Sequence, residues 1–101
     1  GVAYKADIAD WRESPAVKLI ELLQKGGAEV SYHDPHVAAF AHDGVALSSS
    51  PLEPGAYDVV VIATAHTSID YAWLVDEAPL VVDLRNAIGR AGIASEKVWK
   101  L

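Results

Sequence analysis

The sequence predicts an α/β fold, a doubly wound and mainly parallel sheet with helices on both faces. Three observations carry that expectation. Pro15–Lys25 shows a helical period. An apolar, β-branched run follows Asp58 through Val59, Val60, Val61, Ile62 and Ala63, the mark of a strand covered on both faces. Strand-like and helix-like stretches also alternate at a spacing that calls for right-handed crossovers.

Residues 1–4 read as the tail of a buried strand and residues 5–12 as a loop too polar to be core. Ser14 and Pro15 then read as an N-cap followed by proline at the first helical position. Apolar residues at 16, 17, 19, 20, 22 and 23, with Lys18, Glu21 and Lys25 opposite, give an amphipathic helix whose apolar side should lie on a sheet; Gly26 and Gly27 end it. Residues 28–33 read as a second strand, stopped by Asp34-Pro35. Residues 36–42 read as a short helix and Val45–Ser48 as a short strand or extended link. Residues 58–63 are expected to be the central strand. A helix over 68–76 should follow, capped by Thr67 or Ser68 and turning Ile69, Ala72, Trp73 and Val75 inward. Strands over 80–83 and 98–101 complete the order, with no repeat, low-complexity tract or internal linker.

With 101 residues the chain is expected to be a single domain. A hydrophobic content of 51% excludes a disordered tail. Acidic residues outnumber basic ones 14 to 8, giving a net charge of −6, and the lysines and arginines form no run. A nucleic-acid surface is therefore not expected, and an anionic ligand must be caught by a few local cations. There is no cysteine, hence no disulfide framework and no thiol nucleophile in these residues, which fits a reducing cytoplasm. No apolar run approaches the roughly 20 residues of a membrane span. Methionine is absent even at position 1, so the chain reads as a piece of a longer polypeptide.

The carboxyl ends of the strands, where open α/β sheets bind ligands, should carry the chemistry. They deliver Tyr4-Lys5, His33-Asp34, Thr64-Ala65-His66 and Asp83-Leu84-Arg85-Asn86. Lys5 and Arg85 are the cations among them. A diphosphate would profit from both, because a charge-assisted hydrogen bond is worth roughly 1.5–3 kcal/mol and a guanidinium can grip two oxygens. The competing reading pairs Lys5 with Asp7 and Arg85 with Asp83 as surface ions that contribute little.

The pattern Gly-x-Ala-aromatic-Lys at 1–5, followed by Asp-Trp-Arg-Glu-Ser-Pro at 10–15, resembles the start of the C-terminal domain of the UDP-glucose/GDP-mannose dehydrogenase family. The likeness continues through Tyr-His-Asp-Pro at 32–35, Val-Ile-Ala-Thr at 61–64 and Val-Asp-Leu-Arg-Asn at 82–86, covering nearly the whole chain. The resemblance implies a Rossmann-like domain that binds a UDP-sugar, with Tyr4, Lys5 and Arg85 as substrate contacts. It implies that Arg12, at the far end of the loop, touches NAD held by an N-terminal domain. It also implies a two-step, NAD-dependent oxidation of a sugar C6 hydroxyl to a carboxylate through a thiol-bound intermediate. The cysteine and the cofactor fingerprint would lie in N-terminal and central domains of the same polypeptide, and the whole would be a homo-oligomer. Within the family, the segments at 32–37 and 65–71 look most like the branch acting on UDP-N-acetylglucosamine or UDP-N-acetylhexosamine, which makes polysaccharide precursors.

The remaining candidates have simpler readings. Arg12 can pair with Asp10 or Glu13 to order the loop as well as meet a cofactor. His33, Asp34, His36 and His42 are competent metal ligands by type, but Pro35 breaks their spacing and no cysteine joins them, so a turn role is expected. His66 can act as a general base or hydrogen-bond its own loop, and the second is favoured. Trp11, Trp73 and Trp99 read as anchors of packing or a subunit contact. No Gly-x-Gly-x-x-Gly occurs, so an independent dinucleotide site is unsupported and no catalytic residue is expected within these residues. The alternative to a dehydrogenase part is a stand-alone, non-catalytic nucleotide-binding or regulatory module of the same topology.

Overall fold

Ser14 and Pro15 do start the first helix. In the computed structural model, which describes residues 1–100, α1 spans Pro15–Lys25, and Ser14 Oγ accepts the Ala16 N–H at 3.2 Å. Leu101, the expected end of the last strand, lies outside the described residues. The backbone gathers into two compact units, Gly1–Pro51 and Leu52–Leu101.

In the first unit, α1 buries Ala16, Val17 and Ile20, while Leu22 and Leu23 remain 54% and 38% exposed, so burial of the apolar side stops short of the helix end. The expected helix over 36–42 is instead half of a β-hairpin. Strand β1, Ala39–His42, pairs antiparallel with β2, Val45–Ser48, in the register His42↔Val45. Asp43 and Gly44 form the two-residue connection with φ of 48° and 84°. Both are left-handed, as a type I′ turn requires, and Asp-Gly is among its preferred sequences. Turn chemistry thus overrides the weak helical preference of the alanines, and Phe40 and Val45 become buried. The Tyr32 ring packs against Phe40 at 5.3 Å, and Phe40 against Trp11 at 5.5 Å. Burial raises the Tyr32 phenol above its ordinary pKa, with the Asp34 charge acting in the same direction, and its hydroxyl donates to Val37 O at 2.9 Å.

Residues 1–4 and 28–33 do not form the expected strands. Their polar groups go elsewhere: the Val2 and Ala3 N–H groups to the Asp34 carboxylate, the Tyr4 N–H to Asp10 O, and the Tyr32 carbonyl to the Ser50 N–H.

The second unit has the expected α/β class. Strands β3 (Val60–Ile62), β4 (Val81–Asp83) and β5 (Val98–Lys100) form a parallel sheet in the order β3-β4-β5, joined through α2 (Tyr71–Glu77) and α3 (Ala87–Arg90). The middle strand is β4, not the apolar run ending at Ala63. The core consists of Ile62, Leu74, Val75, Ala78, Val81, Ala87 and Ile88. Helix α2 begins later than the sequence suggests. Its cap is Asp70, whose carboxylate accepts the Trp73 N–H at 3.1 Å, and not Thr67 or Ser68. That start turns Leu74 inward and leaves Ala72 exposed and Trp73 42% exposed. Among the described residues no helix is long and apolar enough to cross a membrane.

Gly44 tests the hairpin. A Cβ there would meet nothing within 4 Å, so Gly44→Ala probes backbone strain alone. Urea denaturation should show a loss of about 1 kcal/mol with an unchanged slope; an unchanged midpoint would contradict the left-handed turn.

Candidate functional site

The loop after residues 1–4 is built on buried backbone. Val2 and Ala3 are 2% and 0% exposed, and their N–H groups donate to Asp34 Oδ2 at 2.8 and 3.0 Å. The Ser14 hydroxyl donates to Ala3 O at 3.3 Å, and the Tyr4 N–H to Asp10 O at 2.6 Å, so the loop closes back on its own start. From this base Tyr4 and Lys5 emerge exposed, with Lys5 Nζ 5.7 Å from the centre of the Tyr4 ring, a cation–π arrangement. Asp7, the alternative partner considered for Lys5, has its carboxylate 4.0 Å from His36 Nε2.

Arg12 grips Asp10. Its Nε and a terminal nitrogen reach the two carboxylate oxygens at 3.2 and 3.4 Å, and its backbone N–H adds a third bond at 3.0 Å. The guanidinium hydrogen bond lowers the Asp10 pKa, and Asp10 raises that of Arg12. The Arg12 side chain is 76% exposed, so solvent screens the pair and its role is to order the loop. Two of the guanidinium's five N–H groups reach Asp10, leaving an exposed edge for a second ligand.

Arg85, also exposed, follows β4. Asp83, 1% exposed, does not form the surface ion pair that sequence allows. Its Oδ1 accepts the N–H groups of Arg85 and Ala87 at 3.1 Å each, and its Oδ2 that of Ile88 at 3.0 Å. The Asp83 carboxylate is therefore turned onto backbone.

The histidines and Asp34 turn to different partners. His33 Nδ1 lies 2.8 Å from Ser50 O, and His42 Nε2 3.3 Å from Asp43 Oδ2. Asp34, 2% exposed, receives three backbone N–H groups, those of Val2 and Ala3 on Oδ2 and that of His36 on Oδ1 at 2.8 Å. The His66 carbonyl accepts the Tyr71 hydroxyl at 2.9 Å and the Ile69 N–H at 3.4 Å, which ties down the loop before α2.

With Lys5 and Arg85 each on an exposed turn fixed by a buried aspartate, the comparison with known proteins becomes specific. The profile of the UDP-glucose/GDP-mannose dehydrogenase family, UDP binding domain, matches residues 1–90, a span that includes Lys5, Arg12 and Arg85. The chain belongs to this family. UDP-N-acetyl-D-mannosamine dehydrogenase of Methanococcus maripaludis is 30% identical over 102 residues, covering 99% of this chain and 23% of that protein. UDP-glucose 6-dehydrogenase of Rhizobium meliloti is 32% identical over 103 residues, covering 93% and 24%. UDP-N-acetyl-D-mannosamine dehydrogenase of Pyrococcus horikoshii is 41% identical over 66 residues, covering 65% and 14%. The chain thus spans about a quarter of the length of the first two relatives. No solved structure gives a significant match.

Sequence reasoning did not single out Asp34 or Asp83 as organisers of this family's motifs. Removing Asp34 should show its weight: Asp34→Ala leaves the N–H groups of Val2, Ala3 and His36 without their carboxylate. Each buried donor so orphaned costs about 1–3 kcal/mol, so chemical denaturation should show a loss of about 3 kcal/mol or more. A loss below about 1 kcal/mol would mean that water replaces the carboxylate without penalty.

Proposed function

We propose that this chain is the nucleotide-sugar-binding domain of an NAD-dependent UDP-sugar 6-dehydrogenase that oxidises a sugar C6 hydroxyl to a carboxylate. The observation that carries this reading is the match of the family's UDP binding domain across residues 1–90. Tyr4, Lys5 and Arg85 are the proposed substrate contacts. They lie in the motifs by which the sequence resembles the family, and their side chains are exposed, on turns whose backbone is already hydrogen-bonded. Lys5 supplies a point charge and Arg85 a planar fork, two complementary ways of binding phosphate oxygens.

NAD, when bound, supplies the hydride acceptor. Arg12 is the residue here that would meet it, through the guanidinium edge not directed at Asp10. The main cofactor site and the nucleophile belong to the N-terminal and central domains proposed to share the polypeptide. The names of the relatives favour UDP-N-acetylhexosamine or UDP-glucose as substrate. The proposal includes polysaccharide precursor synthesis in the cytoplasm by a homo-oligomer.

Arg85→Lys keeps the charge and loses the fork, so it separates the binding role from a general electrostatic one. In the complete enzyme, isothermal titration with the UDP-sugar should show affinity weakened by about 1.5–3 kcal/mol, with the melting temperature near the parent's. An unchanged dissociation constant would remove Arg85 from the substrate site.

A further inference from the structure

We infer that Asp83 and Arg90 are positioning residues for Arg85, holding the turn that presents it while touching no ligand themselves; this rests on the UDP-sugar reading above. The turn between β4 and α3 is fastened from both electrical sides. Asp83 takes the Arg85 N–H and, with Ala87 and Ile88, the otherwise unpaired N–H groups at the start of α3. Asn86 occupies the cap position in a left-handed conformation, φ 56° and ψ 33°, and its side chain makes no cap hydrogen bond, so the buried carboxylate does that work. Arg90, one turn along, donates from a terminal nitrogen to Arg85 O at 2.7 Å and from Nε to Asn86 O at 3.4 Å.

Both backbone polar atoms of Arg85 are therefore claimed, its N–H by Asp83 and its C=O by Arg90. The residue before it is tied to the sheet by the Leu84 N–H to Ile62 O bond at 3.0 Å. Gly89 leaves room for the turn, since a Cβ there would run into the Asn86 side-chain amide. The Arg85 side chain itself stays exposed. A guanidinium launched from a fixed backbone loses less entropy on gripping an anion than one on a loop that must order first. Asp83 and Arg90 thus raise affinity through Arg85, and their contribution must vanish when Arg85 has no guanidinium to present.

A double-mutant cycle in the complete enzyme reads this directly, with UDP as the titrant. Arg90 is exposed, so Arg90→Ala should fold and melt like the parent while weakening UDP about three- to tenfold, the range expected for the loss of a modest hydrogen-bonded restraint. Asp83→Asn keeps the shape and weakens the grip on the N–H groups; it should weaken UDP about tenfold. In an Arg85→Ala background each change should alter the dissociation constant by less than about twofold. Losses that add to that of Arg85→Ala would overturn the proposal, because a direct ligand contact by Arg90 or a general loss of structure gives additivity. Loss in Arg85→Ala but none in Arg90→Ala, whatever the fate of Asp83→Asn, would overturn the positioning role alone. No loss in Arg85→Ala would overturn the substrate role of Arg85 and this inference with it.

Discussion

A buried carboxylate that collects backbone N–H groups is the interaction on which each unit of this protein depends. Asp34 and Asp83 are 2% and 1% exposed, and each accepts three backbone donors. An isolated buried charge would be prohibitive, but charge-assisted hydrogen bonds of roughly 1.5–3 kcal/mol each offset the desolvation. The donors they satisfy belong to residues outside any strand ladder, or to the first turn of a helix only four residues long. Without the two aspartates those segments would have to find water or move. With them, irregular backbone becomes as determinate as a ladder, and the cations it carries start from fixed points.

Such an arrangement would suit the proposed recognition of an anionic ligand by a domain with a net charge of −6. A net negative charge gives no general attraction, so in that proposal affinity would have to come from individual cations held in place. Lys5 follows a segment fixed by Asp34 and Ser14, and Arg85 sits between Asp83 and Arg90. The division of labour is the same at both: a buried acid organises the backbone, and an exposed base faces solvent. Arg12 differs, because its partner Asp10 is exposed and the pair orders a loop without burying charge.

Much of this was legible in the sequence where the signal is local. The bounds of α1 follow from a capping serine, a proline at the first position, a helical period and a terminal glycine pair, all within one window. The β-branched runs at β3 and β4 likewise declare themselves. In the hairpin at 39–48 the strand Val45–Ser48 forms as the sequence suggests, whereas the first half, expected as a helix, pairs with it across Asp43-Gly44, a turn signal outweighed in the reading by a short run rich in alanine. The strands expected over 1–4 and 28–33 failed for another reason: an apolar run shows that a segment is buried, not that a neighbour pairs with its backbone. The proposed site divides in the same way. Lys5, Arg12 and Arg85 are marked by motif, whereas the role of Asp34 depends on donors 31 and 32 residues away and cannot be seen in any short window. Asp83 bonds residues two, four and five positions on, so the habit of aspartate to cap following N–H groups could have revealed it.

Amide hydrogen exchange, followed residue by residue in the native protein, tests the central claim most directly. The N–H groups of Val2, Ala3, His36, Arg85, Ala87 and Ile88 donate to the Asp34 and Asp83 carboxylates. The account predicts that these amides are protected to the degree of the β4 strand, while the exposed loop amides of residues 5, 6, 8 and 9 exchange freely. Exchange of the six at the rate of that loop would show that the aspartates do not hold the backbone, and would contradict the account.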